Sequence, residues 1–345
     1  MDMKAAVLTD WKCIEMRDVP IPELGPEECL IKVQYAGICG SDLHIYEGHH
    51  PTARKPLIPG HEFVGTIESI RTDREIGLAP GDRVVVEPLI SCRKCEACRE
   101  GNWHVCRKLG LLGIHTSGGF AEYVKAPVDK TILVNPNLPD KLAALTEPFA
   151  VGFHVTSRAG VRNGDRVLII GGGPIGLIAG IVARECGASL VAFSEINEAR
   201  IGRIRELGFE HAMNPAKEDV AARTAEWTGD EGFDIVIEVS GSQPGLLLAT
   251  QACRIRGTVV LVGFPGQVPQ MNVLQGIFKE LTIVGSRVYT FEDFRKTVRL
   301  LERMAAERRY DLELLISGTC PLEGLEAALK SMKDGTALGK IMIAF

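Results

Sequence analysis

Long unbroken apolar runs, an excess of charge of one sign and low-complexity tracts are all missing from this 345-residue sequence. Lys plus Arg number 39 and Asp plus Glu 44, a net charge of −5. That balance excludes a chain built mainly to grip nucleic acid or an anionic membrane. Aromatic residues are scarce at 6%, yet hydrophobic residues reach 46% and charged ones 24%, which excludes intrinsic disorder and fits a globular chain with a large core. Ten cysteines over this length are too few for a disulfide scaffold. The opening ten residues carry Asp2, Lys4 and Asp10 and no apolar stretch, so no secretory signal is expected in them. Val167 to Ala183 imitates a membrane span, being uncharged, but Gly171-Gly172-Gly173-Pro174 sits inside it. A strand, a glycine turn and a buried helix account for it better. The expectation is a soluble cytoplasmic protein with reduced thiols, in which clustered cysteines point to metal.

The length fits two or three domains. Up to about residue 150 the chain shows short strand-like segments punctuated by Pro and Gly: Ala5–Leu8, Cys29–Ala36, Glu62–Ile70, Arg83–Glu87 and Ala121–Lys125. From about Gly164 strands alternate with helices. Arg166–Ile170, Ser189–Ser194, Phe233–Val239, Gly257–Val262 and Leu281–Val284 read as strands, and Pro174–Cys186 and Asn197–Leu207 as helices. This alternation predicts an α/β domain with a doubly wound parallel sheet. Amphipathic stretches at Phe291–Met304 and Leu322–Met332 precede an apolar strand, Lys340–Phe345. The pattern alone leaves open whether this last segment extends the parallel domain or returns to the first.

Gly171-Gly172-Gly173-Pro174-Ile175-Gly176 fits G-x-G-x-x-G between a predicted strand and helix, and Glu195 follows 19 residues after Gly176 at the end of the next strand. Glycines let the backbone approach a pyrophosphate, and the helix N-terminus stabilises it. The acid is placed to accept hydrogen bonds from adenosine ribose hydroxyls and to repel a 2′-phosphate, which favours NAD over NADP. Arg200, further along that helix, is placed either to stack on adenine or to remain a solvated surface arginine. Val262, Gly263 and Phe264 after a later parallel strand, and Ser286 beside Arg287, complete the candidate cofactor-binding set.

Cys92, Cys95, Cys98 and Cys106 form C-x2-C-x2-C-x7-C, four thiolates able to close a tetrahedral structural zinc site. The lobe is basic, with Arg93, Lys94, Arg99, Arg107 and Lys108, but it contains no recognition helix for DNA. A second, dispersed set comprises Cys39 in Gly37-Ile-Cys-Gly-Ser-Asp-Leu-His44, Gly60-His61-Glu62, and Glu147 in Thr146-Glu-Pro148. A thiolate, an imidazole and carboxylates suit a zinc that keeps a position open. Spacing alone does not unite them.

Taken in order, Cys39-Gly-Ser-Asp-x-His44, Gly60-His-Glu62, the four-cysteine lobe, Glu147-Pro148 and the glycine fingerprint resemble the zinc-dependent medium-chain dehydrogenases, nearest the sorbitol, threonine and sugar-acid branch. The resemblance covers essentially the whole chain. It implies a GroES-like β-rich catalytic domain over residues 1–150 with a zinc lobe at about 88–110, an inserted Rossmann domain over 151–288, and a return to the catalytic domain over 289–345, with the active cleft at their junction. It implies Cys39, His61, Glu62 and Glu147 as catalytic-zinc ligands, Glu147 either directly or through water. Ser41 and His44 match a proton relay, and Arg287 a substrate- and cofactor-contacting arginine. His115, in Gly113-Ile-His-Thr-Ser-Gly-Gly-Phe, either reaches the cleft or is structural. Ser41, His61, Glu147, His115 and Arg287 are therefore the candidate substrate contacts.

The expected activity is hydride transfer between NAD and a secondary alcohol or ketone of a polyol, sugar acid or related small polyhydroxy compound, with two zinc ions per chain. Similar enzymes imply a homodimer or homotetramer joined through Rossmann edge strands, with no nucleic-acid or membrane partner. A threonine- or butanediol-type dehydrogenase is the alternative within the class, and zinc-free enone reduction is disfavoured by the retained ligand positions. A non-catalytic zinc-bearing NAD sensor would not need Cys39, Ser41, His44, His61 and Glu147 together.

Overall fold

A computed structural model describes all 345 residues. The chain divides into two compact units, Met1–Glu147 with Thr290–Phe345, and Pro148–Tyr289.

In the first unit β1 (Asp2–Asp10) and β2 (Cys13–Pro20) form an antiparallel hairpin. Next come β3 (Glu28–Gly37), the short helix α1 (Gly40–Tyr46), β4 (Glu62–Arg71) and β5 (Arg83–Val86). The cysteine lobe is closed at its base by β6 (Leu89–Ile90) pairing with β7 (Gly110–Leu111), with α2 (Glu96–Arg99) between them. The segment β8 (Tyr123–Pro127), β9 (Thr131–Leu133) and α3 (Asp140–Ala143) leads into α4 (Thr146–Ala159). β2 escapes sequence reading because most of its residues face solvent on both sides, which erases the alternation.

The second unit runs β10 (Arg166–Ile170), α5 (Pro174–Glu185), β11 (Leu190–Ser194), α6 (Glu198–Glu206), β12 (His211–Met213), α7 (Val220–Thr228), β13 (Phe233–Glu238), α8 (Gln243–Ala252), β14 (Cys253–Leu261), α9 (Val273–Phe278) and β15 (Thr282–Gly285). All six strands are parallel, in the order β12-β11-β10-β13-β14-β15. Strand order reverses between β10 and β13, so their C-terminal ends bound the crevice where this architecture takes dinucleotides. Val167 to Ile170 are all buried, as a strand covered on both faces requires. β12 has only three residues, too short to show a period.

The chain then rejoins the first unit. In α10 (Phe291–Glu307), Phe294, Val298, Leu301 and Met304 make the buried stripe, and Thr290 and Asp293 cap each other's backbone at its start. β16 (Ile316–Pro321), α11 (Leu325–Lys333) and β17 (Lys340–Ala344) follow. β17 pairs antiparallel with β3, completing a seven-stranded sheet with β16, β3, β4, β5, β9 and β8. The question left open by pattern is answered: the last segment belongs with the first. No helix is long and apolar enough to cross a membrane.

Candidate metal and cofactor sites

β3 and β4 pair so that Gly37 faces Glu62, which sets the start of β4 beside the turn into α1. Cys39 is the residue before α1, and Asp42 accepts its backbone N–H at 2.8 Å. His61 immediately precedes β4, and Gly119 N–H donates to the carbonyl of Gly60 at 2.8 Å, strapping that segment to the 113–120 loop. The result brings ligand atoms of Cys39, His61 and Glu62 within 4.8 Å of one another. His61 and Glu62 are buried, and His61 Nδ1 and Glu62 Oε2 have no hydrogen-bond partner. Buried polar atoms are rarely left so, and together with the nearby Cys39 thiol these make a set of an imidazole, a carboxylate and a thiol. That donor set fits zinc.

Two further side chains complete the cluster. Asp42 Oδ1 stands 3.7 Å from His61 Nδ1, and Lys340 of β17 pairs with Glu62. Both are buried. Burial by itself lowers the pKa of His61, but the charges of Asp42, Cys39 and Glu147 overcome it and hold the imidazole well above its ordinary value. Burial also works against the Lys340 ammonium, and Glu62 and Cys39 more than offset it, so Lys340 stays charged. Burial pushes the Asp42 carboxyl up against the opposing pull of His61.

Glu147, the second residue of α4, is buried but lies outside the close group of three. Ser41 is half-buried and His44 exposed, three residues apart on α1 and so on one face of it. His115 is exposed: its Nδ1 accepts Leu111 N–H at 3.1 Å and its Nε2 lies 3.0 Å from Thr52 Oγ1. Those contacts tie His115 to the chain at Leu111 and Thr52.

The four cysteines of the lobe also converge within 4.8 Å. Zn–S bonds of about 2.3 Å in a tetrahedron put sulfurs about 3.8 Å apart. Here Cys95 Sγ lies 3.5 Å from Cys98 Sγ and 3.9 Å from Cys106 Sγ. Backbone N–H groups aim at the sulfurs, from Cys92 to Cys106 at 3.2 Å and from Lys108 to Cys106 at 3.3 Å. The N–H groups of Arg107 and Cys98 hold the Cys95 thiol down to about 6, while burial pushes Cys98 up to about 12. The geometry fits a closed zinc site.

In the second unit the glycine loop follows β10. Gly171 has φ +106°, a conformation that side chains disfavour, and a Cβ on Gly176 would lie 1.9 Å from Gly171 O. A Cβ on Gly173 would meet nothing, since that face opens into a cavity of about 800 Å³ bordered also by Pro174, Ile175, Glu195, Arg200 and Ser240. Glu195 is buried at the end of β11 and accepts Gly172 N–H at 2.6 Å and Asn197 N–H at 2.8 Å. Arg200 Nη1 stands 4.0 Å from Glu195, and its Nε is buried without a hydrogen-bond partner. Opening helix, exposed glycine and fixed acid fit a dinucleotide. Val262 and Gly263 donate to the carbonyl of Glu238, Phe264 and Arg287 are exposed, and Ser286 Oγ is buried without a partner. None of these five borders the cavity.

Sequence reasoning missed Asp42 and Lys340. Asp42 lies inside the quoted Cys39–His44 motif, four residues or fewer from both ends, and was readable there. Lys340 is the lone cation heading an otherwise apolar strand, a weaker signal.

Residues 25–137 match the alcohol dehydrogenase GroES-like domain and residues 174–303 the zinc-binding dehydrogenase domain. The chain belongs to the zinc-dependent medium-chain dehydrogenases. It is 34% identical over 338 residues to L-threonine 3-dehydrogenase of Escherichia coli K12, covering 96% of each. It is 36% identical over 321 residues to 2-dehydro-3-deoxy-L-galactonate 5-dehydrogenase of Pseudoalteromonas atlantica, covering 92% of this chain and 91% of the relative. Among solved structures, an Escherichia coli CFT073 protein described as a short chain alcohol dehydrogenase, complexed with NADH, superposes with a TM-score of 0.90 at 27% identity, covering 100% of this chain and 99% of that one. Members of this medium-chain dehydrogenase family oxidise or reduce at CH–OH carbons. The fold and the zinc-type alcohol oxidoreduction expected from the motifs are therefore those of the family.

Proposed function

We propose that this protein uses NAD to oxidise a secondary hydroxyl of a small polyhydroxy compound, a sugar alcohol or sugar acid, or to reduce the matching ketone. The observation that carries the reading is the convergence of half-buried Cys39 with buried His61 and Glu62, whose Nδ1 and Oε2 have no hydrogen-bond partner. Zinc held there by these residues, with Glu147 as a further ligand directly or through water, supplies Lewis acidity that lowers the pKa of a substrate hydroxyl. Ser41 would accept the substrate hydroxyl proton as it passes its own on, and His44, exposed on the same face of α1, would release a proton to water. NAD held in the second unit would supply the hydride acceptor for the hydrogen on the same carbon, one C–H and one O–H bond being exchanged for the C=O. The glycine loop and Glu195 hold the dinucleotide, and the carboxylate of Glu195 disfavours a 2′-phosphate. Glu147 accepts a hydrogen bond from a neighbouring hydroxyl, and Arg287 donates to a hydroxyl or carboxylate. The four lobe cysteines hold a second, structural zinc, which a reducing compartment such as the cytoplasm favours.

A second copy of the chain is the fitting partner for the open edge of the parallel sheet. β15 is an edge strand, and Val273, Leu274, Ile277 and Phe278 of α9 beside it are 57 to 75% exposed.

Steady-state NADH formation across polyols, aldonates, L-threonine, butanediol, ethanol and 2-propanol tests the reading. Polyhydroxy substrates are expected to give the highest kcat/KM, because burying the site's donors and acceptors against an alkanol costs about 1–3 kcal/mol each. L-threonine in first place would install the threonine-type reading, which the name of the Escherichia coli relative favours. Turnover of none of them would remove the enzymatic reading.

A further inference from the structure

His115 has both ring nitrogens engaged, and the pattern fixes where its proton sits. Leu111 N–H donates to Nδ1 at 3.1 Å, and His115 N–H donates to Leu111 O at 2.9 Å, so the same two residues close the 111–115 turn twice. A ring nitrogen that accepts an N–H presents its lone pair, which leaves the proton of the neutral imidazole on Nε2. Nε2 lies 3.0 Å from Thr52 Oγ1 and, in that tautomer, donates to the hydroxyl. Leu111 is itself held in β7, opposite Leu89 at the base of the cysteine lobe. The imidazole therefore reaches from a braced turn to a residue 63 positions earlier.

Thr52 stands in the stretch that leaves α1. The carbonyl of His44 accepts His49 N–H at 2.8 Å and His50 N–H at 3.2 Å, and Gly48 turns the chain there with φ +76°. His50 Nδ1 in turn accepts Thr52 N–H at 3.4 Å and Ala53 N–H at 3.2 Å. Its ring stands edge-on to that of His115, with centroids 6.5 Å apart. One run of hydrogen bonds thus leads from His44 to Thr52 and on to the 111–115 turn. The rest of the same loop grips the far end of the stretch: Gly118 N–H donates to Ile58 O and Gly119 N–H to Gly60 O, each at 2.8 Å. The segment between His44 and His61 is held near both ends by one loop.

We infer that His115 is a positioning residue and not a substrate contact: from its fixed tautomer it clasps Thr52, sets the 49–53 turn, and so holds the end of α1 from which His44 releases a proton. The inference rests on the dehydrogenase reading above. The test uses the zinc-loaded enzyme with the best substrate of the panel. It reads hydrogen exchange of the 49–53 amides, the first-turnover rate of NADH formation at saturating substrate, and KM. Thr52→Val removes the acceptor and keeps the shape. His115→Asn keeps an acceptor for Leu111 N–H and loses the donor to Thr52. Each is expected to speed exchange and to slow the first turnover by about threefold or more, with KM within about twofold. Added imidazole is expected to restore the rate, because a free base takes the proton that a displaced His44 no longer passes on. Thr52→Ser keeps the hydroxyl and is expected to match the parent, and His115→Gln, whose amide reaches the place of Nε2, is expected to keep exchange slow. Thr52→Val with His115→Asn should be no slower than either alone, since both remove one bond.

Unchanged exchange in both Thr52→Val and His115→Asn would overturn the inference. Faster exchange with the parental rate, or a loss that imidazole does not restore, would show a merely structural clasp and overturn it too. A rise in KM confined to the His115 variants would make His115 a substrate contact instead. A parent that oxidises no alcohol of the panel fails the dehydrogenase reading and takes the inference with it, whereas any of these results in an active parent fails the inference alone.

Discussion

Lys340, the first residue of the last strand, forms a buried ion pair with Glu62, 278 positions earlier in the chain. β17 carries the lysine to the sheet by pairing with β3, which in turn pairs with β4 and its first residue, Glu62. The C-terminal segment thus does more than cover the first unit: it supplies the cation of the zinc-type cluster. The cluster gathers the Cys39 thiol and the carboxyl groups of Asp42, Glu62 and Glu147 about the Lys340 ammonium and the His61 imidazole, an excess of acidic over basic groups. A divalent cation would offset that excess.

Lys340→Met is therefore expected to destabilise the protein by about 3–5 kcal/mol, the cost of leaving a buried charge without its partner. Combining it with Glu62→Gln is expected to cost less than the two single changes together. Urea unfolding of the zinc-loaded protein, read beside elemental zinc content, measures both effects. Lys340→Met with parental stability and zinc content would show that the pair matters little.

The two zinc sites are expected to separate by mutation. Cys98→Ala opens a closed four-sulfur site and is expected to lower the unfolding midpoint sharply, because structural zinc contributes folding free energy directly. Cys39→Ala is expected to abolish turnover and leave the midpoint close to the parent's. Elemental analysis of freshly purified, undialysed protein is expected to give two zinc ions per chain, and a value of one or none contradicts this assignment.

Most of the parallel unit was legible because its strands are continuous apolar runs between glycine turns: Arg166–Ile170 is read with its observed bounds. β14 begins at Cys253 rather than Gly257, because Arg254 and Arg256 interrupt the apolar pattern that marks a buried strand. The metal donors are a different case. Cys39, His61 and Glu62 are scattered, and only the β3–β4 register brings them together, so a resemblance was needed to name them as one set. Lys340 depends on a pairing between chain ends that no local pattern encodes.

The cofactor preference proposed from Glu195 gives a further test. A preference for NAD over NADP of at least tenfold in kcat/KM, about 1.4 kcal/mol, is expected of the parent enzyme. Glu195→Ala is expected to lower NAD efficiency and relax rejection of NADP, since it removes both the ribose acceptor and the acceptor for Gly172 N–H. Parallel kinetics with the two cofactors decide this, and equal use of both by the parent would refute the role given to the acid.

The opposite edge of the parallel sheet offers a pH-dependent test. Asp234 in β13 accepts Arg166 N–H at 2.8 Å and Arg166 Nε at 2.9 Å, from β10, and Arg254 Nε at 2.6 Å, from β14. Burial opposes its charge, but these hydrogen bonds prevail and hold the carboxyl down to about 2, against an ordinary 3.8. An acid whose folded pKa is depressed contributes stability that is complete above its unfolded value and is lost as pH falls through its folded value. The window is therefore from about pH 4 down to about pH 2, and the contribution above it is about 2 kcal/mol. Asp234→Asn is expected to be less stable than the parent by about that amount at pH 7. The gap should narrow as both are taken below pH 4. Comparing the two proteins at each pH in urea cancels losses they share, including protonation of zinc ligands. NADH affinity at pH 7 is expected to be unchanged, because Asp234 lies near the N-terminal end of β13 and the glycine loop follows the C-terminal end of β10. A gap that stays constant down to pH 2 would mean that the neutral amide is destabilising for reasons of shape, and that the charge of Asp234 is not what joins the three strands.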